Sequence, residues 1–456
     1  MSLFSAISPA WNIDNMRPYF TRTKTYLTDI SYSNLTICLT NEDLSLDSAI
    51  SAFSFAVFLN WRNDIYQKQN KEVNKDIFIA LFDAERETYI SRTDIYRLFT
   101  CHCITAEFLI FRDDYDFKAR ICHTPARVIL IDHHLLADHN NYMSCFVKGV
   151  VSHRPYFLSE RFTLEEKPRS LIACGACATV IVTKCQAMTK KLRKPAWDFF
   201  CAHRVLVDML HTVIIDVTFN LQVQHTSLND EQALMFLEAL LKFRDANEFR
   251  RTKFNILAEA KRDLVNVTAM QMLKRDNRNV HNILVSTLPL LVKDFLNKPD
   301  TDIAVEGILR KRHCNYLLLL GNDKPYICNT ARDIAVYHRN SEKAEILALY
   351  LERWASSKFM LVSEPMPCHP CFFYFKQLDG NAMRRDFMKV LEEFATVLKE
   401  NVPQDLTKCI FPQVIYKEIK CPPNYHGKYV LRTLDDDKDD SKEASSSGCP
   451  PGYHWK

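Results

Sequence analysis

VILIDHHLL, residues Val128 to Leu136, is a run of apolar β-formers that stops abruptly at Asp132, His133 and His134. A strand with no polar residue on either face is covered on both sides, as in a parallel sheet layered by helices. Other runs share the form: Leu35 to Leu39 before Asn41, Ile77 to Phe82 before Asp83, and Phe108 to Phe111 before Arg112. Val150 and Val151 precede His153, and Val213 to Ile215 precede Asp216. Helical patterns at Ser48 to Leu59 and Ala176 to Leu192 alternate with these runs, so the expected fold class is α/β with a mainly parallel sheet. Ligands in such folds bind beyond the carboxyl ends of the strands, and the chemistry is expected there.

Carboxylate and imidazole are ligand types preferred by Mg²⁺, Mn²⁺ and Zn²⁺, and an Asp can bridge two such ions. An Asp in that position can also do no more than cap the following turn. The other strand ends favour the metal. TNEDLSLDS, Thr40 to Ser48, places Asn41, Ser45 and Asp47 in a strand-to-helix turn, with Ser48 as the expected helix start. VVSHRP, Val150 to Pro155, and TVIIDVTFN, Thr212 to Asn220, supply His153 and Asp216. Asp47, Asp132, His153 and Asp216 are expected to converge on one rim.

Composition excludes several alternatives. Only 8 of 456 residues are glycine, against roughly 7% in an average protein, and no two fall at the spacing of a dinucleotide fingerprint or a P-loop. A net charge of +4 from 59 basic and 55 acidic residues argues for neither nucleic acid nor membrane. The first twenty residues lack a basic segment followed by an apolar core, so the 16 cysteines are expected to be reduced and the protein cytoplasmic. Of the two CxxC pairs, Cys174 to Cys177 and Cys368 to Cys371, the first reads as a helix start and neither as a zinc site. Arg112-Asp113-Asp114 and Asp116 read as a structural loop. The expected domains are 1–228, a linker helix over 229–258, a mixed α/β C-terminal domain over 259–430 and a disordered acidic tail over 431–456. Strands are expected at Tyr316 to Leu320 and Phe359 to Val362, and a long amphipathic helix at Met383 to Leu398.

LTNEDLSLDSAISAF, FLIFRDDYD, VILIDHHLL, SHRP, GACAT and TVIID, in this order and spacing, resemble the DHH phosphoesterases. Within them the resemblance is to the prune branch of exopolyphosphatases, related to the family II inorganic pyrophosphatases. It covers Leu35 to Asn220 and continues more weakly through EAKRDLVNVTAMQMLKRD, Glu259 to Asp276. The resemblance implies a two-metal hydrolase of phosphoanhydrides using Mn²⁺ or Mg²⁺, with pyrophosphate or short-chain polyphosphate as substrate. One metal would fall on Asp47, Asp132, His153 and Asp216. The other would use Asn41, residue 45 and the bridging Asp132. Asp132, His133 and Arg154 would form the catalytic set. Arg154, with Arg384 and Arg385 of NAMRRD, would bind phosphate, the smaller domain closing over the cleft.

Two departures weaken cation binding. The family has Asp where this chain has Ser45, and a hydroxyl is a poor ligand beside a carboxylate. Prune-type sequences also have Asp at the position of Ser152, where it would orient the ligating His153. Thr40 replaces a glycine of the first motif. The absence of any Gly-Gly pair favours the polyphosphatase branch over the nuclease branch. An impaired hydrolase is therefore expected. The alternative is an inactive scaffold of the same fold that binds phosphate ligands or protein partners, with the acidic tail as a partner segment.

Overall fold

A computed structural model describes residues 13–71, 73–153, 169–323, 331–354, 359–366, 369, 371–379, 382 and 384–400. It divides into two compact units, Met1–Arg275 and Asp276–Lys456. In the first, strands β1 (Leu35–Leu39), β2 (Ile77–Phe82), β3 (Ile110–Phe111), β4 (Ala126–Ile131), β5 (Val147–Ser152) and β6 (Arg169–Leu171) form one sheet. All neighbours are parallel, in the order β3-β2-β1-β4-β5-β6. The apolar runs are explained by two-sided burial. Ile77, Ile79 and Leu81 enter one core layer, whereas Phe78, Ala80 and Phe82 enter the other. Full burial of each large side chain is worth about 1.5–3 kcal/mol. The chain winds outward in both directions from the β1/β4 pair, and such a switch point opens a crevice at the strand carboxyl ends.

Among the described residues the helices of this unit are α1 (Arg17–Asp29), α2 (Leu46–Asn70), α3 (Thr93–Cys101), α4 (Phe117–His123), α5 (Cys177–Lys191), α6 (Ala196–Ala202), α7 (Arg204–Val217), α8 (Leu228–Leu241), α9 (Ala246–Arg262) and α10 (Ala269–Arg275). Residues 46–60 of α2 are buried without a break because the helix lies on β1 and β2 and is flanked by α5 and α7.

Two expectations are corrected. Val213 to Ile215 is not a strand but the end of α7, whose residues 205–215 are all buried. Once every side is covered, an apolar run no longer distinguishes a strand from a core helix. The expected linker over 229–258 is part of the first unit: Leu234, Leu237 and Leu241 of α8 and Leu257 and Ala260 of α9 lie in its core. The unit ends at Arg275 rather than 228.

A buried ionic network ties α8 and α9 to α3 and α7. Lys253 pairs with the Asp208 carboxylate and donates to Thr212 Oγ1 at 3.0 Å, and His102 Nε2 stands 3.1 Å from Asp208 Oδ2. His211 Nε2 meets Glu238 Oε1 at 3.1 Å, and Arg250 grips both oxygens of Glu238 at 2.6 Å. Burial, then the Lys253 ammonium, push His211 down to about 4. Burial alone would raise Glu238, but His211 and Arg250 hold it at about 2. Both groups are depressed, so the unfolded chain takes up protons first as the pH falls. Their stabilisation is complete above about 6.5 and is lost toward pH 4 for His211, and between about 4.5 and 2 for Glu238. The free energy of unfolding is therefore expected to drop by on the order of 3 kcal/mol between pH 7 and pH 4 through His211. His211→Gln is expected to flatten that part of a melting-temperature profile; an unchanged slope would refute the assignment.

The second unit has strands β7 (Asn277–Val280), β8 (Ile283–Leu288), β9 (Tyr316–Asn322), β10 (Arg332–His338), β11 (Leu361–Glu364) and β12 (Phe372–Gln377). They follow the order β11-β12-β10-β9-β8-β7, with only β8 and β9 parallel. Its helices are α11 (Val292–Leu296), α12 (Thr301–Arg312), α13 (Ser341–Trp354) and α14 (Arg384–Glu400). Leu347 and Leu351 of α13 and Phe387, Leu391 and Phe394 of α14 cover Leu318, Leu320 and Val336 of the sheet. The strand expected from Phe359 begins two residues later, at Leu361. Residues 401–430 and the tail over 431–456 lie outside the described residues. Among the described residues, no helix is long and apolar enough to cross a membrane.

Candidate metal centre

Three adjacent strands deliver the site. Asn41 follows β1, Asp132 follows β4 and His153 follows β5. Asp132 sits at φ 64°, a left-handed conformation that costs a non-glycine residue roughly 1–2 kcal/mol and that Asp tolerates better than most. Its N–H donates to the Val151 carbonyl at 2.8 Å. Ser48 Oγ accepts from Asn41 N at 2.8 Å and donates to the Ile131 carbonyl at 3.0 Å, pinning the β1 turn to the end of β4. The result brings one ligand atom each of Asp47, Asp132 and His153 within 4.8 Å of one another. His153 Nδ1 stands 3.0 Å from Asp132 Oδ1.

Asp47 is buried and held by the start of α5. Its Oδ2 accepts from Cys177 N at 2.6 Å, and its Oδ1 from Ala178 N at 2.8 Å and Ser51 Oγ at 3.1 Å. Even so its carboxyl is pushed up to about 7, first by burial and then by the Asp132 charge, against His153 and the two amides. Two carboxylates in a dry crevice with one imidazole are short of positive charge. A divalent cation would supply it, and the Asp47–Asp132–His153 donor set fits one.

The position implied for a second ion does not fit. Ser45 caps α2, three residues ahead of the expected start at Ser48: its Oγ accepts from Ser48 N at 3.2 Å. The same oxygen accepts from Asn41 Nδ2 at 3.0 Å and donates to Asp132 Oδ2 at 3.3 Å. Asn41 Nδ2 also reaches Asp132 Oδ2, at 3.3 Å, while Asn41 Oδ1 accepts from Ser45 N at 3.0 Å. N–H and O–H groups therefore meet the Asp132 oxygen on which the bridging role would depend.

Asp216 is not brought into the group. Near the end of α7 its carboxylate pairs with Lys261 Nζ at 2.5 Å; burial raises its pKa against the pull of that lysine. Ser152 is the buried last residue of β5. The His133 ring meets the Ile131 carbonyl through Nδ1 at 2.9 Å, which assigns the proton to Nδ1 and a lone pair to Nε2. Burial lowers its pKa and keeps it neutral. Arg154 lies outside the described residues. In the second unit, Arg384 is half-buried and paired with Asp276, and Arg385 is exposed in the first turn of α14.

Some residues on this rim escaped sequence reasoning. Asp113 and Asp114 are committed to Arg86, and Asp116 caps α4. Arg112 instead turns to the buried Asp83 at 3.3 Å, where His139 (2.7 Å) and Asn140 (2.8 Å) also converge. The amides of Cys177 and Ala178 were hidden too. Their only sequence signal was a glycine and small residues ahead of a helix.

No family model matches the chain. Among curated proteins it is similar to exopolyphosphatase PRUNE1 of Homo sapiens, 23% identical over 372 residues, and of Mus musculus, 28% identical over 365 residues. Each match spans 79% of this chain and 75% of the relative. A solved structure from Methanococcus jannaschii, assigned to the family II inorganic pyrophosphatases, aligns over 78% of this chain and 99% of that one. Its TM-score of 0.46 and 14% identity make that likeness too loose to argue from. Motif order, the parallel sheet and relatives matched over most of their length point the same way: the chain resembles the prune branch of the DHH phosphoesterases.

Proposed function

We propose that the first unit carries a one-ion, metal-dependent phosphoanhydride hydrolase centre acting slowly on pyrophosphate or short-chain polyphosphate. The observation that carries this reading is the convergence of Asp47, Asp132 and His153 beside a first-motif position already filled by hydrogen bonds. The similarity to proteins named exopolyphosphatase supports the substrate class. Asp47, Asp132 and His153 would hold Mn²⁺ or Mg²⁺. When bound, such an ion supplies Lewis acidity toward a phosphoryl oxygen. His133, neutral and tethered through Nδ1, keeps Nε2 able to accept a proton. Arg154, next to His153 in sequence, would contact phosphate oxygens. Asp216 does not complete the ligand set while Lys261 holds it.

The test is phosphate release from pyrophosphate and tripolyphosphate with Mn²⁺ or Mg²⁺, alongside equilibrium Mn²⁺ binding. One ion per chain and turnover abolished by chelation are expected. Two ions per chain, or turnover indifferent to chelator, would overturn the one-ion reading. The hydrogen bonds over the first-motif position and the Asp216–Lys261 pair favour a second reading, an inactive scaffold that binds phosphate ligands or a protein partner. Tripolyphosphate binding without any phosphate release would establish it.

A further inference from the structure

We propose that Asp230 is a positioning residue for the metal centre: it fixes the loop ahead of α5 so that the first amides of that helix face Asp47. Asp230 is fully buried in the first turn of α8. Its Oδ2 accepts from Ser227 N at 2.8 Å and Ser227 Oγ at 2.7 Å, closing a capping box on its own helix. A capping box needs no more than that. Here the carboxylate also reaches across the fold, taking Gly175 N at 2.7 Å on Oδ2, and Ala176 N at 3.3 Å and Thr179 Oγ1 at 2.6 Å on Oδ1. One carboxylate thus receives five donors, three of them from the loop and first turn of α5. The next two residues, Cys177 and Ala178, are the ones whose amides hold Asp47.

The closeness of the approach is independent support. A Cβ on Gly175 would lie 2.2 Å from the His225 carbonyl oxygen and 3.2 Å from Asp230 Oδ2, so the loop is pressed onto the segment leading into α8 as tightly as a backbone allows. From Asp230 through Gly175 and Ala176 to α5 and Asp47, each step is a hydrogen bond or adjacent backbone.

The inference rests on the proposed metal centre only for its metal readout, so the test uses two quantities. Asp230→Asn puts an amide N–H against backbone donors, and Ser227→Ala removes the α8 cap while leaving the grip on Gly175 and Ala176. In Asp230→Asn, native-state alkylation of the buried Cys177, mapped by mass spectrometry, is expected to quicken about 10-fold or more, and the Mn²⁺ dissociation constant to rise about 10-fold or more, the usual scale for losing a ligand's support. Ser227→Ala should match wild type in both. If Asp230→Asn does not fold, Thr179→Val, which removes a single donor, should shift the same two quantities in the same direction. Should the wild type bind no Mn²⁺, the metal reading fails and Cys177 labelling alone decides this one. Unchanged labelling in the folded Asp230 variant, or equal effects in Ser227→Ala, would reduce Asp230 to a helix cap.

Discussion

Ser45→Asp is expected to give the protein a second bound divalent ion and to raise phosphate release from pyrophosphate about ten-fold or more. The substitution should not break α2, because Asp is as good an N-cap as Ser and can take the same Ser48 amide. It removes the hydroxyl that now donates to Asp132 Oδ2 and places lone pairs in its stead. Without metal the change should destabilise. A third carboxylate beside Asp132 and the already proton-retaining Asp47 adds like-charge repulsion of up to about 4 kcal/mol near 4 Å at an effective dielectric of 20. Mn²⁺ at a hundred times its dissociation constant would restore about 2.7 kcal/mol per site. The signature is therefore a lowered melting temperature in chelator, recovered by Mn²⁺ to a greater extent than in wild type. A variant that binds no further ion and releases no more phosphate would show that Ser45 is not what limits the centre.

Asp132→Ala should abolish metal binding and phosphate release, a loss of at least about 100-fold. Asp132 is common to every arrangement the site can adopt, since one oxygen faces His153 and the other receives Asn41 and Ser45. The alanine variant also leaves those donors without their acceptor, at about 1–3 kcal/mol for each one that stays buried and unsatisfied. It further puts a poorly suited residue at φ 64°. Asp132→Asn separates the two effects, because Asn tolerates the left-handed backbone and keeps one acceptor oxygen while losing the charge. We expect the asparagine variant to melt within a few degrees of wild type and to bind Mn²⁺ no better than the alanine variant. Wild-type turnover in either variant would remove the metal centre from the mechanism.

The parallel sheet and its rim were legible because two-sided burial leaves a direct mark. The strand Ile77–Phe82 admits no polar residue and Leu35–Leu39 only the buried Thr36, and the polar residues after β1, β4 and β5 mark where the crevice begins. The same logic misread Val213 to Ile215, because three successive apolar residues of a helix enclosed by α2, α5, α8 and α9 are buried as completely as those of a central strand. The charged helical pattern from Asn229 to Arg244 suggested a linker helix. Glu238 of α8 and Arg250 and Lys253 of α9 are instead partners in a network whose contacts span 12 to 45 residues, a separation that local periodicity does not register.

Residue types and their order along the chain carried the resemblance to the prune branch, the ends of β1, β4 and β5 as the rim of the crevice, and Ser45 as a departure from the family pattern. Only the tertiary structure decided which of those groups are already engaged. It gave Asp216 to Lys261, Ser45 and Asn41 to Asp132, and Asp47 to the amides of α5. The physical reason is that the donors engaging these groups lie tens of residues away in sequence and within 3.3 Å in space.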